Sequence, residues 1–163
     1  LVENVSGAVA CYAACAAAAG TDHFFVVDGD TWLLDDFRFD LPFMPAPGET
    51  VFWSARNPVN GLEYGNGAIK LLPRAPLLKN REMLEKAVDF AMELGPVRYT
   101  GICASEHRFN ADPYSAWLAA FRECAKLAVG TTIGNDEARA LAKRRLDAWC
   151  GRYRKDAAFA DWW

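Results

Sequence analysis

His23-Phe24-Phe25-Val26-Val27-Asp28-Gly29-Asp30-Thr31 is the stretch that decides the fold. Its aromatic and β-branched run reads as a strand buried on both faces, and it breaks off at an acidic tip. Upstream, Val5–Ala19 is rich in Ala and reads as a helix whose small side chains pack closely on a sheet, with Gly20 as its stop. Helix, short turn, buried strand and acidic tip together make an α/β unit.

The tip carries the sharpest chemical signal. In open α/β folds, ligands bind at the carboxyl edge of the sheet, where Asp28 and Asp30 fall. Period-two geometry predicts that both carboxylates point the same way. Gly29 between them leaves room for a ligand to approach. Two close carboxylates repel unless a cation lies between them. Oxygen donors suit Mg²⁺ or Mn²⁺, which bridge to a diphosphate and stabilise charge on a leaving nucleotide diphosphate. The plain alternative is a capped strand end that holds no metal.

Beyond the tip, Pro42, Pro45 and Pro47 make 41–48 a loop. Val51–Ala55 reads as a second strand and Ala68–Leu72 as a third, stopped by Pro73. Lys79–Leu94 has helical periodicity through Met83, Leu84, Ala87, Phe90 and Leu94, and ends at Gly95-Pro96. Arg98–Ser105 reads as a further strand. Asp112 is an N-cap with Pro113 at the first helical position, for a helix running to Val129. Asn135 or Asp136 starts a last helix, to about Trp149.

Two irregular segments add candidate ligands. Arg56–Gly67, between two strands, is polar and turn-rich, and such loops carry function. In it Arg56 is a substrate-binding candidate, Asn57, Asn60 and Glu63 suit sugar hydroxyls, and Tyr64 suits stacking. Gly65 and Gly67 permit close backbone approach. Lys70 can counter phosphate charge, or be a strand lysine at a sheet edge. Ser105–Asn110 follows a strand and precedes a helix. There Glu106 is a candidate general base, His107 a third metal ligand or the base, and Arg108 a phosphate holder. Arg122 and Glu123, mid-helix, read as structural.

The 163 residues predict one domain, 1–163, around one core. A net charge of -3 excludes a wholly basic nucleic-acid binder, yet the charge is uneven. Residues 1–70 carry 3 basic and 9 acidic side chains, and residues 71–163 carry 15 and 12. An acidic metal-binding half beside a basic half suits a phosphate-bearing acceptor; a solvated helix face is the bland reading. Five cysteines (11, 15, 103, 124 and 150) are an odd number without zinc spacing, which points to a reducing compartment. Cys11 and Cys15 read as small apolar packing groups. No apolar run is long enough to span a bilayer, so no membrane partner is expected.

Phe24-Phe-Val-Val-Asp-Gly-Asp30, Asn57-Pro-Val-Asn-Gly-Leu-Glu-Tyr-Gly65, Gly67-Ala-Ile-Lys-Leu71, Arg108-Phe-Asn110 and Ala120-Phe-Arg-Glu123 resemble bacteriophage GT-A-like glycosyltransferases, including the TET/JBP-associated enzymes of DNA hypermodification. The resemblance runs from about Val5 to Trp149. It implies a GT-A-like (Rossmann-type) α/β fold, a mixed sheet flanked by helices. It implies a UDP-sugar donor, a divalent cation (Mn²⁺ or Mg²⁺) at Asp28 and Asp30, and a 5-hydroxymethylpyrimidine in DNA as acceptor, 5-hydroxymethylcytosine foremost. The setting would be the cytoplasm of a phage-infected bacterium. Asp30, Glu106 and His107 are then the catalytic candidates. Arg56, Asn57, Asn60, Glu63, Tyr64, Gly65, Gly67, Lys70, Arg108 and Asn110 are the substrate-binding ones, and Asp28, Asp30 and His107 the metal ligands. GT-A folds place a β-α unit for the nucleotide base before the acidic strand; here one helix precedes it. Either that unit lies upstream of Leu1, or the chain is a minimal variant.

Three other readings compete. The same chemistry can serve a protein or polysaccharide acceptor. A HAD-type phosphohydrolase also places Asp-x-Asp after a buried strand, with Asp28 as nucleophile, but needs a later acidic pair that the sequence lacks. An inactive nucleotide- or DNA-binding module would bind without turnover.

Overall fold

The computed structural model describes residues 2–58, 61–79, 84–86, 90–108, 112–132 and 134–152. It is a mixed α/β structure. In chain order the elements are α1 (Ala8–Ala18), β1 (His23–Val27), β2 (Thr31–Leu33), β3 (Thr50–Arg56), β4 (Glu63–Pro73), α2 (Arg74–Lys79), β5 (Val97–His107), α3 (Pro113–Gly130) and α4 (Asp136–Arg152), with a 3₁₀ turn at Phe90–Met92. Among the described residues no helix is long and apolar enough to cross a membrane.

Among the described residues five strands form one sheet in the order β1-β4-β3-β5-β2. β1 runs antiparallel to β4, with Phe24 opposite Leu72 and Val26 opposite Lys70. β3 and β4 are neighbours joined by six residues, too few for a crossover, so they form a hairpin. β3 and β5 enter the sheet side by side: Thr50 N donates to Pro96 O at 2.8 Å, and Arg98 Nε to Glu49 Oε1 at 2.8 Å. Their starts coincide, so they run in the same direction and the sheet is mixed.

β1 and β2 lie on opposite edges, yet only Asp28, Gly29 and Asp30 separate them. Five flat strands would put their outer members roughly 19 Å apart. Four peptide steps reach at most about 14 Å, and less in a turn. The sheet is therefore strongly curled, and the acidic turn straps one edge to the other.

Alternation along the strands sorts two cores. On one face Phe24, Val26, Phe52, Leu72 and Val97 pack with Val9, Tyr12 and Ala16 of α1 and with Leu77, Leu84, Phe90, Ala91 and Leu94. On the other, Val51, Trp53, Ile69, Leu71 and Ala104 pack with Phe25, Phe37, Leu41 and Phe43. The second face is thus covered by an aromatic loop. Phe37, Phe39, Leu41 and Phe43 alternate along it, and Phe25, Phe37, Phe39 and Trp53 form a ring cluster with centroids 5.0–6.1 Å apart.

The chain gathers into two compact units, Leu1–Ala55 with Tyr64–Ser105, and Arg56–Glu63 with Glu106–Trp163. The second has its own small core, Ala120 and Trp149 with Cys124 and Leu127 between α3 and α4. Both its helices start as the sequence predicts: Asp112 Oδ1 accepts from Ser115 N, and Asn135 Oδ1 from Ala138 N, each at 2.9 Å.

Three boundaries differ. β4 runs from Glu63, absorbing residues read as loop. Gly65 is tolerated in it because the Tyr99 ring lies where a side chain would stand: a Cβ there would be 2.9 Å from Tyr99 Cδ1. Tyr99 in turn stacks on Phe52, centroids 5.4 Å apart. Of the helix expected over Lys79–Leu94, Lys79 ends α2, Leu84 and Glu85 are helical and Phe90–Met92 form a 3₁₀ turn, while Met83 and Ala87 lie outside the described residues. β2 was not foreseen.

Candidate functional site

Asp28 follows β1 and extends its pairing, its N–H donating to Ala68 O at 2.9 Å. The chain then turns: Thr31 N donates to Asp28 O at 3.1 Å. Gly29 and Asp30 occupy the centre of that turn, so strand alternation does not govern residues 28–30 as the sequence suggested. Space above Gly29 is open, with nothing within 4 Å of where a Cβ would stand. Asp30 is exposed. The Thr31 hydroxyl, at the foot of the turn, is buried with no hydrogen-bond partner among the described residues.

Lys70 stands next to this turn by register. Val26 faces Lys70 across the ladder, so Asp28 lies diagonal to it, within reach of a long side chain. Lys70 Nζ donates to Asp28 Oδ1 at 2.9 Å. Lys70 is 6% exposed, while the Asp28 side chain keeps 34% of its surface in water. Both lie on the face covered by α1, where the Tyr12 ring sits 5.4 Å from Nζ. Burial pushes the Tyr12 phenol up from its ordinary value, and the Lys70 ammonium opposes that in part. Lys70 is therefore no edge-strand lysine; it is a buried cation that neutralises the first acidic residue of the turn.

The other candidates gather in pairs in the second unit. Arg56 donates Nε and Nη2 to Glu63 Oε1 at 3.0 and 2.8 Å. Asn57 is buried: its N–H donates to Leu62 O at 2.9 Å and its carbonyl accepts from Gly61 N at 2.7 Å, which closes the turn between β3 and β4. Glu106 and His107 lie on β5 and not in the loop expected for them. Arg108 donates Nε and Nη2 to Glu106 Oε2 at 3.1 and 3.0 Å.

Tyr64 is half-buried on β4, Gly67 is a residue of the same strand, and the approach to Gly65 is made by the ring of Tyr99. Asn60 and Asn110 lie outside the described residues. Tyr12 was missed, although it is the one aromatic residue in the Ala-rich segment Val5–Ala19.

Two carboxylates with a lysine on one of them do not make a protein-only metal cage. Among the described residues no group of three or more His, Cys, Asp and Glu side chains that could hold a metal ion is found. The donor set fits an ion held by one or two carboxylates and completed by water and a substrate's phosphates.

Comparison with models of known families, with curated proteins and with solved structures finds no match.

Proposed function

We propose that the chain is a metal-dependent glycosyltransferase that moves a sugar from a UDP-sugar to a 5-hydroxymethylpyrimidine in DNA, 5-hydroxymethylcytosine foremost. One observation carries the reading: an open acidic turn at the carboxyl end of a strand, with a buried lysine on its first carboxylate. The segments that resemble phage GT-A-like glycosyltransferases supply the donor and acceptor classes. The finer GT-A-like description, N-terminally incomplete, and a cytoplasmic setting in the infected host belong to the same proposal.

Asp28 and Asp30 are the residues that would hold Mn²⁺ or Mg²⁺, and the ion, when bound, neutralises charge on the leaving diphosphate. Lys70 fixes the Asp28 carboxylate through its 2.9 Å hydrogen bond and places a positive charge beside the turn. Gly29 admits the donor's backbone-close approach. The hydroxymethyl oxygen of the acceptor attacks the anomeric carbon as the bond from that carbon to the diphosphate breaks, and a base takes its proton.

Incubating hydroxymethylated and unmodified DNA with a panel of UDP-sugars and Mn²⁺ tests this by mass spectrometry. A one-sugar mass gain on hydroxymethylated DNA alone, lost in Asp30→Ala, is the expected result. No gain with any donor rules out the DNA acceptor, and full transfer by Asp30→Ala rules out the mechanism.

The Lys70 contact also favours one competing reading, a phosphohydrolase with Asp28 as nucleophile and Lys70 as its charge partner. Phosphatase turnover through an aspartyl-phosphate on Asp28 would establish it in place of the transferase.

A further inference from the structure

α1 carries one aromatic side chain among small ones. Val9, Tyr12 and Ala16 are spaced three and four residues apart, so they share the stripe that packs on the sheet. Of the three, only Tyr12 has a polar end. Two neighbours set its ring. Phe90 packs on it with centroids 4.9 Å apart and planes at 34°. The Lys70 Nζ lies 5.4 Å from the ring centre, within cation–π range.

Phenylalanine would satisfy both of those contacts equally, so the hydroxyl needs its own account. A half-buried phenol costs hydration unless it finds a polar partner. That partner is Lys70. Burial raises the phenol above its ordinary value, and the ammonium opposes this in part through its charge and a hydrogen bond. A phenol that keeps its proton can still accept an ammonium N–H on its oxygen.

Lys70 has three N–H donors on a flexible four-carbon stem. One reaches Asp28 Oδ1 at 2.9 Å. That bond engages a single carboxylate oxygen. Oδ2 of Asp28 takes no hydrogen bond among the described residues, and a third of the side chain is in water. The ammonium therefore lies between a phenol supplied by the helix and a carboxylate supplied by the turn. Three elements meet there: α1 brings Tyr12, β4 brings Lys70, and the end of β1 brings Asp28.

We propose that Tyr12 is a positioning residue of the acidic turn: its hydroxyl holds the Lys70 ammonium from the helix side, which fixes Asp28 through Oδ1 and leaves Oδ2 for the ion. The hold itself needs no ligand; its role toward the ion rests on the metal-dependent transferase reading above.

Tyr12→Phe removes one oxygen and keeps the ring on Phe90, and circular dichroism is expected to show a wild-type fold. The first readout is the ¹⁵N resonance of the Lys70 ammonium in the ligand-free full chain, assigned by its loss in Lys70→Met. It is expected to shift or broaden in Tyr12→Phe, because one acceptor is gone. The second is a urea double-mutant cycle. Tyr12→Phe should lower the midpoint in wild type and leave it unchanged in Lys70→Met, since the hydroxyl acts through the ammonium. The third is titration calorimetry of UDP in Mn²⁺, in which Tyr12→Phe is expected to bind about tenfold more weakly, the lower end for groups that orient metal ligands.

An unmoved Lys70 resonance, or an equal midpoint loss in both backgrounds, overturns the hold. Undiminished UDP affinity in Tyr12→Phe overturns its role toward the ion and leaves the transferase reading standing. Absence of UDP binding by wild type counts against that reading, and the resonance and the cycle then decide the hold by themselves.

Discussion

Breaking the Asp28–Lys70 pair should destabilise the protein asymmetrically. Two unit charges at the observed 2.9 Å attract by roughly 6 kcal/mol at an effective dielectric constant near 20. Two effects reduce this. Burying Lys70 costs several kcal/mol of hydration, and Asp28, a third in water, is partly screened. A net coupling of about 3 kcal/mol remains. Asp28→Asn keeps the shape but strands a buried ammonium, at a cost of about 3 kcal/mol. At about 2–4 °C per kcal/mol for a chain of this size, its melting temperature falls by roughly 6–12 °C. Lys70→Met removes the buried charge together with its hydration cost and leaves Asp28 partly solvated, so it loses only about 1 kcal/mol. The double variant should be no worse than Lys70→Met. Urea unfolding of all four proteins closes the cycle. Single costs that add to within about 0.5 kcal/mol would refute the pairing as an energetic unit.

Other substitutions test other parts of the account. Gly95→Ala would put a Cβ 2.4 Å from the Gly48 carbonyl oxygen, a backbone atom that cannot swing away, so unfolding experiments should show a loss of about 2–4 kcal/mol. Thr31→Val removes a buried hydroxyl that has no partner among the described residues. The urea midpoint should hold or rise, by about 1 kcal/mol in stability, and a drop in transfer rate alone would assign that hydroxyl to the ligand. Glu49 is held below the ordinary carboxylate range by hydrogen bonds from the Arg98 guanidinium and then from the Ala46 N–H. The Ser115 hydroxyl and N–H do the same for Asp112. Both groups have lowered folded-state values, so their stabilisation is complete above about pH 4.3 and is lost as pH falls below it. A urea-midpoint profile between about pH 3 and 6 should show the fall, and Glu49→Gln should make it shallower.

Local pattern carried much of the fold. The β1 run, the caps at Asp112 and Asn135 and the Ala-rich α1 are short-range signals, and each lies where the residues place it. What escaped was set by distant contacts. Gly65 reads as a loop residue until the Tyr99 ring fills its place, which keeps β4 extended through it. Nothing in the spacing of Thr31–Leu33 says that this short segment pairs on the far edge of the sheet from β1. The alternation of Phe37, Phe39, Leu41 and Phe43 is a strand-like signal in a proline-rich segment, spent on covering a sheet face.

The site was legible in part for the same reason. Asp28 and Asp30 announce themselves in the sequence, but the partner of Asp28 is 42 residues away and is fixed only by the β1–β4 register. Tyr12 joins them through helix packing. The pairs Arg56–Glu63 and Glu106–Arg108 show candidate ligands hydrogen-bonded to each other, an outcome that residue type alone does not distinguish from ligand binding.

Titration calorimetry of UDP into the full chain, with and without Mn²⁺, tests the central claim most directly. If the acidic turn grips a diphosphate through a shared ion, UDP binds wild type only when Mn²⁺ is present, and Asp30→Ala abolishes the heat while its unfolding midpoint stays near wild type. Equal UDP binding without the metal, or undiminished binding by Asp30→Ala, would contradict it.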